Sequence, residues 1–169
     1  MARWITVVEA LEVPRPPSTV LPAIWDIQNV ERLERKADAV TVHPHGERNG
    51  TYEVEGHFAG VPWQGRFDYE LHPTGFHSRD ADVPRDEATV EGGFFVTPLG
   101  AEHSTVIHYE QYVLAPWLAP LAPLVQRYLR HSMRRELRDL RRMVTGSARD
   151  VRAPAPRRTR AGTVGLRRA

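Results

Sequence analysis

The sequence predicts an α+β fold in which one curved antiparallel sheet is covered by a long C-terminal helix. Three observations predict it. Period-two alternation recurs from Ala39 to Leu114, turn residues cut that stretch into short runs, and one long helical period follows from about Leu124 to Val144.

Trp4 to Val13 alternates as a strand, with Ile5, Val7, Glu9, Leu11 and Val13 on one face. The prolines of "PRPPS" end it, Ser18 is the expected N-cap of a helix through Asn29, and a second short helix is expected from about Val30 to Lys36. Pro22 fits that first helix only if it lies near the first turn. "AVTVHPHGERNGTYEVEGHF" reads as strand, turn and strand, with Asn49-Gly50 as the turn dipeptide. A turn at Gly60 to Pro62 leads into a strand with Trp63, Phe67, Tyr69 and Leu71 on one side. Strands near Phe76 to Asp82, through "ATVEGGFFVTP", and through "STVIHYEQYVL" complete the run. In the last of these, Thr105, Ile107, Tyr109, Gln111 and Val113 share the more apolar face, which is expected to point inward.

Composition bounds the function classes. The chain has 169 residues, the size of one domain with a tail, and no cysteine, which excludes disulfides and thiolate chemistry. No apolar run is long enough to span a bilayer, and the N-terminus lacks the apolar block of a signal peptide, so a cytoplasmic address is expected. Charge is divided unevenly: Met1 to Gln126 holds 9 basic and 18 acidic residues, whereas Arg127 to Ala169 holds 14 basic and 3 acidic. Lys36 is the one lysine among the 23 basic residues. On a helical projection Val125, Leu129, Ser132, Glu136, Leu140 and Met143 form one stripe, and Arg127, Arg130, Arg134, Arg138 and Arg141 fall opposite. The arginines therefore form a solvated face and the stripe lies on the sheet. Residues 1–145 are expected to form the domain, and residues 146–169, rich in arginine without helical or strand periodicity, a disordered tail.

"LEVPRPPSTVLPAIWDIQNVERL", "GAEHSTVIHYEQY" and the final helix together resemble the START-like, or SRPBCC, superfamily, which includes polyketide cyclases/dehydrases and coenzyme-Q-binding proteins. The resemblance covers about residues 4 to 144. It implies a helix-grip fold: the sheet wraps the helix and leaves a cavity that holds lipids, quinones or polyketides.

Candidate site residues follow from the expected inner faces. Glu136 lies in the middle of the apolar stripe, and its neighbours at i±3 and i±4 are Ser132, Met133, Asp139 and Leu140, so its own helix offers no cation. If buried it must be protonated, paired from the sheet, or wet. It is a ligand-binding and catalytic candidate; the alternative is a structural ion pair with Arg66 or a histidine. Glu9 raises the same question from the first strand. Tyr52, Trp63, Tyr69, Tyr109 and Gln111 are the expected aromatic and amide lining of the pocket. His43-Pro44-His45 lacks a third ligand at local spacing and reads as a surface turn; no metal or cofactor motif appears, and no nucleophile elbow.

Three functions remain open at this stage. The first is a carrier or sensor of a small hydrophobic ligand; the second is a cyclase or dehydrase using a cavity carboxylate and a tyrosine. The third is weak binding of an acidic partner, such as RNA, the ribosome or anionic lipid, through the arginine-rich tail. The sequence is silent on ligand identity and oligomeric state.

Overall fold

The computed structural model describes residues 3–58, 60–83, 89–114 and 116–146. The arginine-rich stretch 147–169 lies outside them. Seven strands form one antiparallel sheet: β1 (Arg3–Val13), β2 (Ala37–Pro44), β3 (Asn49–Phe58), β4 (Val61–His72), β5 (Gly75–Asp80), β6 (Val90–Pro98) and β7 (Ser104–Leu114). Their order across the sheet is β1-β7-β6-β5-β4-β3-β2, so consecutive strands are hairpin neighbours except that β1 pairs with β7. Helix α1 (Pro17–Trp25), a 3₁₀ turn (Ile27–Asn29) and helix α2 (Val30–Leu33) separate β1 from β2. A second 3₁₀ segment (Pro116–Leu121) leads into helix α3 (Ala122–Thr145). At about 1.5 Å per residue its 24 residues span roughly 36 Å.

The local chemistry explains most boundaries and corrects some expectations. Helix α1 starts earlier than a Ser18 cap would allow: Pro16 is the N-cap, without a side-chain hydrogen bond, and Pro17 supplies the fixed φ of a first helical residue. Pro22 lies in the second turn of this short helix, and the helix ends three residues later. Asn49-Gly50 is not the turn; it opens β3, and the chain reverses at residues 45–48. Gly50 is needed there for closeness, since a Cβ would come within 2.5 Å of the His43 carbonyl oxygen. Trp25 pins α1 to the sheet by donating Nε1–H to the carbonyls of His72 and Gly75, at 3.0 and 3.2 Å. Helix α3 ends at Gly146, which adopts the left-handed conformation with φ 76°.

The arginines of α3 point outward, as the helical period requires: Arg127, Arg130, Arg134, Arg138 and Arg141 are all exposed. Beneath them the core divides into two apolar clusters. Leu129 and Met133 join Ile5, Val7 and Leu114 in one, and Leu137 and Leu140 join α1 and the central strands in the other. Ser132 and Glu136, both buried, occupy the helix face between them.

Candidate functional site: a cavity with a buried ionic end

Strand β7 decides the character of the site, and it is turned over relative to the apolar reading. Ser104, Val106, His108, Glu110 and Leu114 are buried toward α3. Tyr109 and Gln111 are only half-buried and project from the other face, where Tyr109 stacks on Phe95 at 5.8 Å. The more polar set faces inward because partners outside it meet its members: Lys36 and Tyr112 for Glu110, and the Arg15 carbonyl for Ser104.

Lys36 reaches this set from the start of β2. Its ammonium pairs with Glu110 Oε1 and lies 3.3 Å from the Tyr112 hydroxyl, which donates to Glu110 Oε2 at 2.9 Å. Side-chain exposures of 4% for Lys36 and 7% for Glu110 place the pair in the interior. The backbone around Lys36 is held with equal care. Its carbonyl accepts from His57 N–H at 3.0 Å and from Trp63 Nε1–H at 3.1 Å. Both bonds depend on Gly56, because a Cβ there would sit 1.7 Å from the same oxygen. A bulge between Ala37 and Ala39 lets β2 bring Lys36 inward.

Behind this pair, His108 stacks on Phe94 with ring centroids 3.9 Å apart. His108 Nε2 is 3.7 Å from Glu110 Oε1, and Nδ1 is 3.4 Å from Glu136 Oε2. The other Glu136 oxygen accepts from the Ser132 hydroxyl at 2.7 Å. Burial pushes the His108 imidazole down to about 4 despite the opposing Glu110, so it is neutral. Burial pushes Glu136 up to about 8, with Lys36 opposing and Glu110 and Glu34 adding, so it keeps its proton at neutral pH. Neither His108 contact is a formed hydrogen bond, and His108 Nδ1 and Glu136 Oε2 are left without one; a neutral imidazole facing a protonated Glu136 avoids a buried unpaired charge there. For Glu110 burial acts upward, but Lys36, His108 and the two hydrogen bonds outweigh it and hold the carboxylate below its ordinary value. Burial likewise works against the Lys36 charge, and Glu110 and Tyr112 outweigh it, so its pKa stands well above the usual lysine range.

A cavity of about 530 Å³ opens in front of this cluster. Val54, Trp63, Phe67, Phe76, Phe94 and Leu114 give it apolar walls, while Lys36, Glu110, Tyr112 and Glu34 form its polar end. Exposed Val61 and Thr89 also belong to the lining, so the cavity reaches solvent on their side. Within the wall, Tyr52 donates its hydroxyl to Ser78 Oγ at 3.0 Å. Burial raises Glu34 to about 7, with Lys36 opposing and Glu110 adding.

The residues expected from sequence are dispersed, and only some reach the cavity. Tyr52 and Trp63 line the cavity. Tyr69 is buried in the core against Tyr52, and its hydroxyl reaches toward Gly50, away from the cavity; Tyr109 and Gln111 are on the opposite face of the sheet. Glu136 is 0% exposed, yet it lies behind His108 and does not line the cavity. Glu9 faces α3 as expected but meets Arg134, an exposed arginine, at 2.8 Å, outside the cavity. Among the described residues neither Arg66 nor any other arginine pairs with Glu136: Arg66 lies on the sheet's far side of β4 beside Asp82. Sequence reasoning missed Lys36, Glu110, His108, Tyr112 and Glu34. His108, Glu110 and Glu136 bring ligand-type atoms within 4.8 Å of one another. Both Glu110 oxygens, however, are committed to Lys36 and Tyr112, and one Glu136 oxygen to Ser132, so a divalent ion would have to displace an ammonium ion.

No family model matches the chain, and no curated protein sequence does. Solved structures match along nearly its whole described length. A protein of Thermus thermophilus superposes with a TM-score of 0.70 at 15% identity, covering 85% of this chain and 99% of its own. The chain has the START-like, helix-grip fold. The Zhui aromatase/cyclase from Streptomyces sp. R1128 shares it with a TM-score of 0.62 at 15% identity, covering 89% and 98%. A START superfamily protein from Mycobacterium smegmatis gives 0.64 at 14%, covering 84% and 98%. Among the described residues no helix is long and apolar enough to cross a membrane.

Proposed function

We propose that the protein binds one small, mainly apolar molecule in the cavity between sheet and α3, as a carrier or sensor. The observation that carries this reading is the cavity itself: about 530 Å³, walled by aromatic and aliphatic side chains, with hydrogen-bonding groups gathered at one end. An interior otherwise close-packed does not leave that volume by accident. Native mass spectrometry of the purified protein, with organic extraction, tests it. The expected result is an apolar molecule bound at one per chain in the wild type and lost in Val90→Trp, which fills the cavity. Equal retention by the filled variant, or no uptake of any apolar probe by either, would overturn the reading.

A second reading, acid–base catalysis of the cyclase or dehydrase kind, is favoured by one specific observation. A buried ion pair stabilises a fold poorly compared with apolar packing, yet Lys36 and Glu110 sit at the cavity wall beside the Tyr112 hydroxyl. On that reading Glu34, held near neutrality, moves the proton, and Lys36 with Tyr112 stabilises a developing enolate. Glu136 and Glu9 are not among the residues that line the cavity. Turnover of a β-polyketone by the wild type and none by Glu34→Gln would support it; no turnover by the wild type would leave the carrier.

A further inference from the structure

The polar end of the cavity holds several groups, and Glu34 is the carboxyl beside the ion pair that no hydrogen bond from a described residue reaches. Lys36 is taken by Glu110 and Tyr112, and the Tyr112 proton is used on Glu110. Tyr52 is used on Ser78, whose own hydroxyl reaches the Gly92 carbonyl at 3.5 Å. His108 faces Glu110. Glu34 remains. Its backbone N–H caps α2 by donating to the Val30 carbonyl at 2.8 Å, which fixes where the side chain starts. Its carboxyl lines the cavity, and no hydrogen bond from a described residue reaches it.

The structure assigns to Glu34 the choice of ligand: it selects an apolar molecule whose polar end is a hydroxyl or an amine and rejects one that ends in a carboxylate. This rests on the cavity being a binding site. The physical reason is a charge count. Lys36 and Glu110 cancel and Glu91, also in the lining, stands 3.8 Å from His77, so the uncompensated charge beside the ion pair is that of Glu34. An anion would meet a like charge there with no uncommitted cation among the described residues to offset it, in surroundings of low dielectric. A hydroxyl or ammonium donor instead gives the carboxylate the partner it lacks.

The charge of Glu34 changes near neutrality, because burial raises its pKa to about 7. The groups that face it are Lys36 on its own segment, Tyr52 on β3, Glu110 and Tyr112 on β7, and Glu136 on α3. Of these only Glu136, at about 8, changes state in the same range, and it stands behind His108. Discrimination should therefore strengthen as pH rises through about 7 and disappear when Glu34 is replaced by an amide.

Three probes with one apolar body test this: 2-naphthol, 2-naphthylmethylamine and 2-naphthoate, titrated calorimetrically into the full chain at pH 6 and pH 8. At pH 8 the naphthoate should bind at least about tenfold more weakly than the other two. Between pH 8 and pH 6 the amine should lose up to about tenfold in affinity while the naphthoate gains. Glu34→Gln should narrow the gap between the naphthoate and the other two probes at pH 8 and flatten both pH profiles. Naphthoate binding as tight as naphthol in the wild type at pH 8, or pH profiles that survive in Glu34→Gln, would overturn the assignment to Glu34. The wild-type comparison stands even if the variant does not fold. If none of the three probes binds at either pH, the cavity is not a binding site, and this assignment falls with that reading.

Discussion

Replacing Lys36 with methionine isolates the central ion pair. The methionine occupies similar volume but leaves Glu110, 5% exposed, without its cation. Removing one partner of a buried pair costs about 3–5 kcal/mol, because the remaining charge is neither solvated nor offset. Glu110 can lessen that cost by taking a proton. In the wild type its folded pKa is depressed, so the pair's contribution is present above about 4.5 and is lost as pH falls through the depressed value; on the lysine side it persists until pH rises past the raised Lys36 value. In Lys36→Met the sign for Glu110 reverses: burial without the ammonium raises its folded pKa, and the variant loses stability as pH climbs from about 4.5 toward that value. Urea unfolding at pH 5 and pH 8 should therefore show a larger deficit at pH 8. Adding Glu110→Leu should restore most of the loss, since an apolar pair of similar volume avoids desolvation. A single variant within about 0.5 kcal/mol of wild type at pH 8, or a double variant worse than the single, would refute the reasoning.

Other outcomes follow from the same contacts. Gly56→Ala should lower stability by at least about 2 kcal/mol in urea melts, because its Cβ would meet the Lys36 carbonyl oxygen at 1.7 Å. Glu136→Gln should be nearly neutral at pH 5.5 and should gain on the wild type by more than about 1 kcal/mol by pH 8, since the wild type must hold a proton there that the unfolded chain releases. On α3, Leu140→Ala should cost about 2–5 kcal/mol, whereas Arg138→Glu, on the exposed face, should stay within about 0.5 kcal/mol by thermal denaturation.

The fold was legible because its signals are long and repetitive. The α3 stripe repeats over about five turns, and β4 alternates with Trp63, Phe67 and Tyr69 inward, so single exceptions do not mislead. The site was less legible for the opposite reason. On β7 apolarity favours Thr105, Ile107, Tyr109 and Val113, but the face turned inward carries His108 and Glu110, whose polarity is offset by Lys36 and Glu136. Those partners come from segments far apart in sequence, and alternation within one strand cannot show them. Two local signs were nevertheless present: Lys36 is the sole lysine of an arginine-rich chain, and Glu136 stands in an apolar stripe without a cation on its own helix. Each is half of a contact that only the fold completes.

The pairing of β1 with β7 also bears on how the protein is made. Val13 meets Ser104 and Arg3 meets Leu114, so of the seven described strands β1 is made before the others and has no neighbour on that side until β7 follows. During that interval its alternating apolar face and unsatisfied backbone are open to other chains. Contacts of such sequence separation also form slowly. The nascent chain is thus most exposed to aggregation just before β7 emerges, and a molecule that occupies the finished cavity would draw the late-closing intermediate toward completion by mass action.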